Sequence, residues 1–206
     1  MSLQHLDPAT RALIGFAGAI ATGEDAVLQA GCRECRAAEV PALWMDELLL
    51  QSVLMVGWPR ALNAFTLWRQ AGLPPADTAE DGADYSLLAE WQARGEAVCR
   101  EVYGKNYSRL RENVRALHPI LDVWMVTEGY GKTLGRPGLD LARRELCVAV
   151  QVAYQGAERQ LHSHLRGALN AGASGTAVTE ALELVRPLLA RRELELALSL
   201  WERIRP

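Results

Sequence analysis

The octet LDPATRAL at residues 6–13 returns, altered, as LDLARREL at residues 139–146. Leu6, Asp7, Ala9, Arg11 and Leu13 reappear as Leu139, Asp140, Ala142, Arg144 and Leu146, an offset of 139 − 6 = 133. Held without a gap, the same offset pairs Gly23 with Gly156, Leu28 with Leu161, Arg33 with Arg166 and Ala38 with Ala171. It goes on to pair Glu47 with Glu180, Leu49 with Leu182, Leu67 with Leu200 and Trp68 with Trp201. A chance match produces an octet; it does not hold register from residue 6 to residue 68. Repeats of this size are stacked units that bury one shared core.

Apolar residues recur at helical spacing almost throughout, and strand signals are nearly absent, so the fold class is all-α. The chain reads as two diverged helical-hairpin repeats with extra connecting helices. Gly and Pro break it at GLPPADTAEDGAD (Gly72–Asp84) and at GYGKTLGRPG (Gly129–Gly138). The boundaries expected are 1–75 for a degenerate first repeat, 76–135 for the connecting helices and 136–206 for a second repeat. In that second repeat Asp140 is a candidate N-cap, and Leu146, Ala149, Val150 and Ala153 share one face. Gly156 permits the turn into a return helix, because a residue without Cβ tolerates positive φ. Ser174 or Thr176 caps a third helix, which Pro187 disturbs.

Composition narrows the function classes. Half the 206 residues are apolar and 23% are charged, as in an ordinary globular protein. A net charge of −3 argues against nucleic acid, which usually selects a clustered basic surface. No apolar run reaches membrane-spanning length, and MSLQHLDPATR has neither the basic start nor the apolar stretch of a secretion signal. Four cysteines do not make a disulfide scaffold in a chain this long. The expectation is a cytoplasmic protein with no membrane and no nucleic-acid partner.

GRPGLDLARREL followed by GAERQLHSHLRGALNAGAS resembles the core signature of the carboxymuconolactone decarboxylase and alkylhydroperoxidase-like family. TRALIGFAGAIATG and GWPRALNAF in the first repeat are more faintly similar to it. The resemblance implies an all-helical fold, ring-like oligomers, and sites built between helices near subunit contacts. Peroxidase members carry a Glu on the first helix, then Cys-x-x-Cys-x-x-x-His on the second. Here the Glu falls on Glu145 and the His on His164, but the cysteine positions hold Ala157 and Gln160. In the first repeat the same four positions are Ala12, Glu24, Val27 and Gly31. Glu and His without cysteines is the decarboxylase-like pattern, and only the second repeat has it.

Cys32-Arg-Glu-Cys35 is nonetheless a Cys-x-x-Cys, with both sulfurs on one helical face and Arg33 and Arg36 beside them. The repeat register puts Cys32 one residue after the family's histidine position rather than seven before it, and no histidine accompanies the pair. It is therefore expected to be packing rather than a redox dithiol. Cys99 and Cys147, among apolar neighbours, are expected to pack as well. No second Cys-x-x-Cys or matching His pair supports zinc, so no metal site is expected.

Glu145 and His164 stand about equally far from the Gly156 turn on antiparallel helices, and are the candidate catalytic residues. They are expected within hydrogen-bond reach of each other, beside a concave pocket. The competing reading is a buried Glu–His pair serving only the core. Arg144, His162 and Arg166 are candidate substrate-binding residues, although Arg144 and Arg166 recur as Arg11 and Arg33 and suit structural salt bridges equally well. The function expected is a cofactor-free decarboxylase-like enzyme acting on a small cyclic carboxylate or lactone. A thiol peroxidase using Cys32 and Cys35, and a non-catalytic oligomeric interaction protein, are the alternatives. The run Leu48–Leu50 with Leu54–Val56 is more apolar than one covered face requires, so a homo-oligomer, dimer or trimer, is expected.

Overall fold

Asp7 and Asp140 begin their repeats in the same way. Each stands just before a helix, and its carboxylate accepts from a backbone N–H three residues on, Thr10 and Arg143 respectively. The structure, a computed structural model, describes residues 3–72, 75–77 and 80–206. Part of the Gly72–Asp84 break, Leu73–Pro74 and Thr78–Ala79, lies outside the described residues.

Helix α1 (Pro8–Thr22) ends at Gly23 with φ 72°, and α2 (Asp25–Ala37) runs back along it. Helix α3 (Ala42–Gln70) follows, bent at Gly57, whose φ of 77° and ψ of 166° break the helical path. The second repeat copies this order. Its hairpin is α7 (Leu141–Tyr154), a turn at Gly156 with φ 63°, and α8 (Glu158–Asn170). The counterpart of the bent α3 is two separate helices, α9 (Gly175–Val185, capped by Ser174) and α10 (Arg191–Ile204). Pro187 sits between them in a 3₁₀ turn. Adding 133 to Gly57 gives Ala190, the residue that caps α10, so the bend and the break occupy one place in the repeat.

The two repeats clasp each other through exchanged ion pairs. Arg144 of the second repeat reaches Glu47 of the first at 2.7 Å, and its repeat equivalent Arg11 reaches Glu180, the equivalent of Glu47, at 3.2 Å. Helices α1 and α7 cross at the centre, where Arg143 contacts Thr10 Oγ1 at 2.7 Å and Asp7 at 2.9 Å. Around this crossing the inward faces of the helices form one core, with Leu13, Phe16, Leu49, Trp68, Leu146 and Leu161 almost wholly buried. Removing each such side chain from water stabilises the fold by about 1.5–3 kcal/mol.

Between the repeats run α4 (Leu88–Tyr103), α5 (Tyr107–Leu117) and α6 (Pro119–Trp124), then a π-helical stretch, Met125–Leu134. The GYGKTLGRPG segment is therefore not a simple break: its first half is helical. Its glycines have another use. A Cβ on Gly131 would overlap the Trp91 carbonyl, and one on Gly95 would overlap that of Val126. The two glycines let α4 and the π-helical stretch lie backbone against backbone. Among the described residues there is no β-strand, only a single bridge between Leu3 and Ala173. No helix among them is long and apolar enough to cross a membrane.

Candidate functional site

The α7–α8 hairpin brings Glu145 and His164 together. Three turns of α7 separate Glu145 from Gly156, and two turns of α8 lead on to His164, so both side chains point into the seam. Glu145 Oε2 lies 2.9 Å from His164 Nδ1. Glu145 is fully buried and His164 is 7% exposed. The other carboxylate oxygen, Oε1, is enclosed and has no hydrogen-bond partner among the described residues. His164 Nε2 also lacks a partner, but it is not one of the enclosed atoms, so the imidazole retains a narrow window.

Gly167 and α4 shape the space around the pair. A Cβ on Gly167 would overlap Glu145 Oε2 and come within 2.8 Å of Val102 Cγ1, so only glycine lets α4 settle here. Two tyrosines complete the surroundings. The Tyr130 hydroxyl donates to Tyr103 at 3.3 Å, and the rings meet edge to face at 6.0 Å. Burial above all, with the nearby Glu145 charge adding to it, pushes the Tyr103 phenol up to about 12 and that of Tyr130 well above its ordinary value. Both therefore stay protonated donors at neutral pH. Nothing in the helical spacing singled out Tyr103, which lies in the connecting region.

A cleft of about 600 Å³ opens on the neighbouring face of α8. His162, Ser163 and Arg166 line it, together with Tyr103 and Val102, which also pack toward the buried pair. The cleft thus brings His162 and Arg166 together, but His164 does not line it. A pocket was expected directly beside His164; this cleft is lined instead by Tyr103 and by Val102, which approaches Gly167 next to Glu145. Burial first, then the positive charges of Arg166 and Arg203, hold His162 below its usual range.

Arg144 is elsewhere. It is fully buried and spends its donors on Glu47, Gln51 and the carbonyls of Arg136 and Leu139. Arg136 joins the same carboxylate at 3.1 Å. No donor arrangement at Arg144 faces a cavity, so its candidacy as a substrate anchor gives way to a structural one. Trp124 is largely exposed, and His118 caps α6 by accepting from Ile120 N.

Cys32 and Cys35 are buried, and Cys35 donates to the Ala12 carbonyl at 3.4 Å. Burial pushes the Cys32 thiol up to about 11 despite Arg33, and raises Cys35 further. A thiolate is the reactive form, so this environment works against redox chemistry. A second, smaller cleft of about 260 Å³ touches Cys32, Arg33 and Arg36. No group of three or more His, Cys, Asp or Glu side chains among the described residues is placed to hold a metal ion.

No curated protein matches the chain closely enough to be reported as a relative. The family model described as "Carboxymuconolactone decarboxylase family" matches residues 1–70 and 123–202, one stretch for each repeat, and passes over the segment that carries α4 and α5. With the paired hairpins and these two matches covering most of its length, the chain belongs to the carboxymuconolactone decarboxylase family.

Proposed function

We propose that the chain is a cofactor-free, decarboxylase-like acid–base enzyme acting on a small cyclic carboxylate, such as a lactone acid. The observation that carries this reading is the unpartnered Oε1 of Glu145. Leaving a buried acceptor unmet costs about 1–3 kcal/mol; Trp68 Nε1 and Gln151 Oε1 share that state, and Glu145 differs from them in being joined to an imidazole. A carboxylate that holds an imidazole by one oxygen and leaves the other without a partner is arranged to orient and share a proton.

In the reaction the bond between the ring carbon and its carboxylate breaks, and CO2 leaves. The electron pair passes into the conjugated lactone as a dienolate, and a donor steadies its oxygen. His164, oriented through Nδ1 by Glu145, delivers a proton from Nε2 to carbon. Arg166, with His162 beside it, anchors the substrate carboxylate from the cleft. The Val102–Tyr103 wall must part for ring and imidazole to meet, and Tyr103, a protonated phenol on that wall, is placed to donate to the developing oxyanion. Acid–base assistance of this kind contributes about 10²–10⁴-fold in rate. The raised thiols weigh against the peroxidase alternative, which needs a thiolate.

The protein is also proposed to assemble as a dimer or trimer. Leu50 and Leu54 before the Gly57 bend of α3, and Trp58 and Leu62 after it, are 36–66% exposed, and a second copy would cover this apolar stripe.

The experiment is CO2 release from a panel of carboxylated five- and six-membered lactones. Turnover of at least one, lowered a hundredfold or more in His164→Gln, is the expected result. Release unaffected by His164→Gln, or none from any lactone, would contradict the assignment.

A further inference from the structure

The cleft on α8 is built from two sources. His162, Ser163, Arg166 and Asn170 come from the second repeat, within the stretch matched by the family. The opposite wall, with Tyr103, Lys105, Asn106, Arg109 and Asn113, comes from the segment between the two matched stretches. The walls are fastened where Asn170 Nδ2 donates to the Val102 carbonyl at 2.8 Å. Gly104, in the left-handed region at φ 51°, turns the chain there, so that Lys105 and Asn106 close one end of the cleft.

The charge in this cleft is one-sided. Lys105, Arg109 and Arg166 line it, and none of the three has an ion-pair partner among the described residues. No carboxylate lines it. Arg11, Arg69, Arg94, Arg111, Arg136, Arg143 and Arg144, by contrast, all meet acids within the chain. His162, held neutral by burial and by Arg166 and Arg203, adds a hydrogen-bonding edge without repelling an anion. Asn106, Asn113 and Ser163 add neutral polar groups, while Leu110, Leu169 and Ile204 supply an apolar floor.

From this juxtaposition we propose that the cleft binds a small organic dianion, a compact doubly charged head on an apolar body, and that Lys105 and Arg109 set this preference together with Arg166. Three unpaired cations converging on about 600 Å³ leave two charges uncompensated when a monoanion binds. A second negative group engages them, with bidentate geometry at the two arginines. The cavity is of a size that small ligands fill, and its apolar floor selects an organic body over a bare inorganic ion. A phosphate monoester and a vicinal dicarboxylate share this chemistry. The inference shares Arg166 and His162 with the proposed decarboxylase reading but adds a wall from outside the matched stretches, and it concerns binding rather than turnover.

Calorimetric titration of the full chain at pH 7.5 with phenyl phosphate, phthalate and benzoate tests it. At least one dianion is expected to bind tenfold or more tightly than benzoate, and which one it is distinguishes phosphate from dicarboxylate. The variant Lys105→Ala/Arg109→Ala, altered only at exposed positions, is expected to lose that preference with an unchanged thermal midpoint. Raising salt should weaken dianion binding more steeply than benzoate binding. Dianions bound no better than benzoate, or bound equally well by the double variant, would overturn the proposal. Dianion binding without CO2 release from any lactone would sink the decarboxylase reading and leave this one standing. Lactone turnover without a dianion preference would do the reverse.

Discussion

At Gly31, the repeat equivalent of His164, a Cβ would lie 2.8 Å from Phe16 Cδ2 and 3.6 Å from the Ala19 methyl. The ring of Phe16 is fully buried and meets Trp68 at 6.2 Å, so the first hairpin has filled with hydrocarbon the space that the second gives to an imidazole. Gly31→Ala should therefore overpack this seam and lower stability by about 1–3 kcal/mol. Better helix propensity offsets up to about 1 kcal/mol of that loss. An unchanged denaturation midpoint would show that Phe16 has room to move. At the cysteines, a thiol pushed up to about 11 against an ordinary 9.0 holds about a hundredfold less thiolate at neutral pH. Iodoacetamide should label native Cys32 at least thirtyfold more slowly than the unfolded chain, and Cys32→Ser/Cys35→Ser should leave CO2 release within about threefold. Rapid labelling with loss of activity would restore the peroxidase alternative. Glu145 and His164 were legible because the family resemblance maps its Glu and His onto them, and their similar distances from Gly156 set them facing each other. Tyr103 was not legible, since its importance arises from the way α4 crosses the hairpin, and no local spacing encodes that crossing.

Two ion pairs related by the repeat sit in unlike surroundings at the scale of elements. Glu47 and Arg144, on α3 and α7, are almost wholly buried, whereas Glu180 and Arg11 on α9 and α1 are partly open to solvent. Glu47→Ala strands Arg144 and Arg136 without their acid and should cost about 3–5 kcal/mol by urea denaturation. Glu180→Ala should move the midpoint little, since screened surface pairs contribute weakly. Equal effects would mean that the repeats are not asymmetric in the way the burial implies. Helices α5 and α6 dock through Asp122, which Arg111 and Arg115 hold below the usual carboxylate range. A carboxyl so lowered contributes stability that is present above its unfolded pKa and is lost as pH falls through the folded value. Asp122→Asn should accordingly flatten the acid limb of the melting-temperature profile below about pH 4. Sequence pattern anticipated the hairpins, their caps and the broken third helix of the second repeat. It misread GYGKTLGRPG because glycine marks a break and also permits close backbone contact, and only the packed partner, α4, decides between the two.

Over the whole molecule, the two hairpins share a core through α1 and α7 while the intervening segment spans the second hairpin and builds a cleft beside it. The 133-residue offset carried the helix order that the two halves share. The cleft was invisible in it, because more than half of its lining comes from the connecting segment, which is not repeated. The α3 stripe leads to a further expectation at this scale: light scattering should give a mass of two or three 22.6 kDa chains, and Leu54→Glu/Trp58→Glu should lower it toward one. A wild-type monomer at micromolar concentration would count against assembly. The central claim is that Glu145 and His164 act together in chemistry rather than prop the core. The most direct measurement is kcat/KM for lactone decarboxylation, with the thermal midpoint of each preparation, across Glu145→Gln, His164→Gln and the double variant. A pair that works as a unit predicts a loss of at least a hundredfold, about 2.7 kcal/mol, in His164→Gln, no greater loss in the double variant, and nearly constant midpoints. Midpoints that fall sharply while kcat/KM stays within a few-fold of wild type would contradict it.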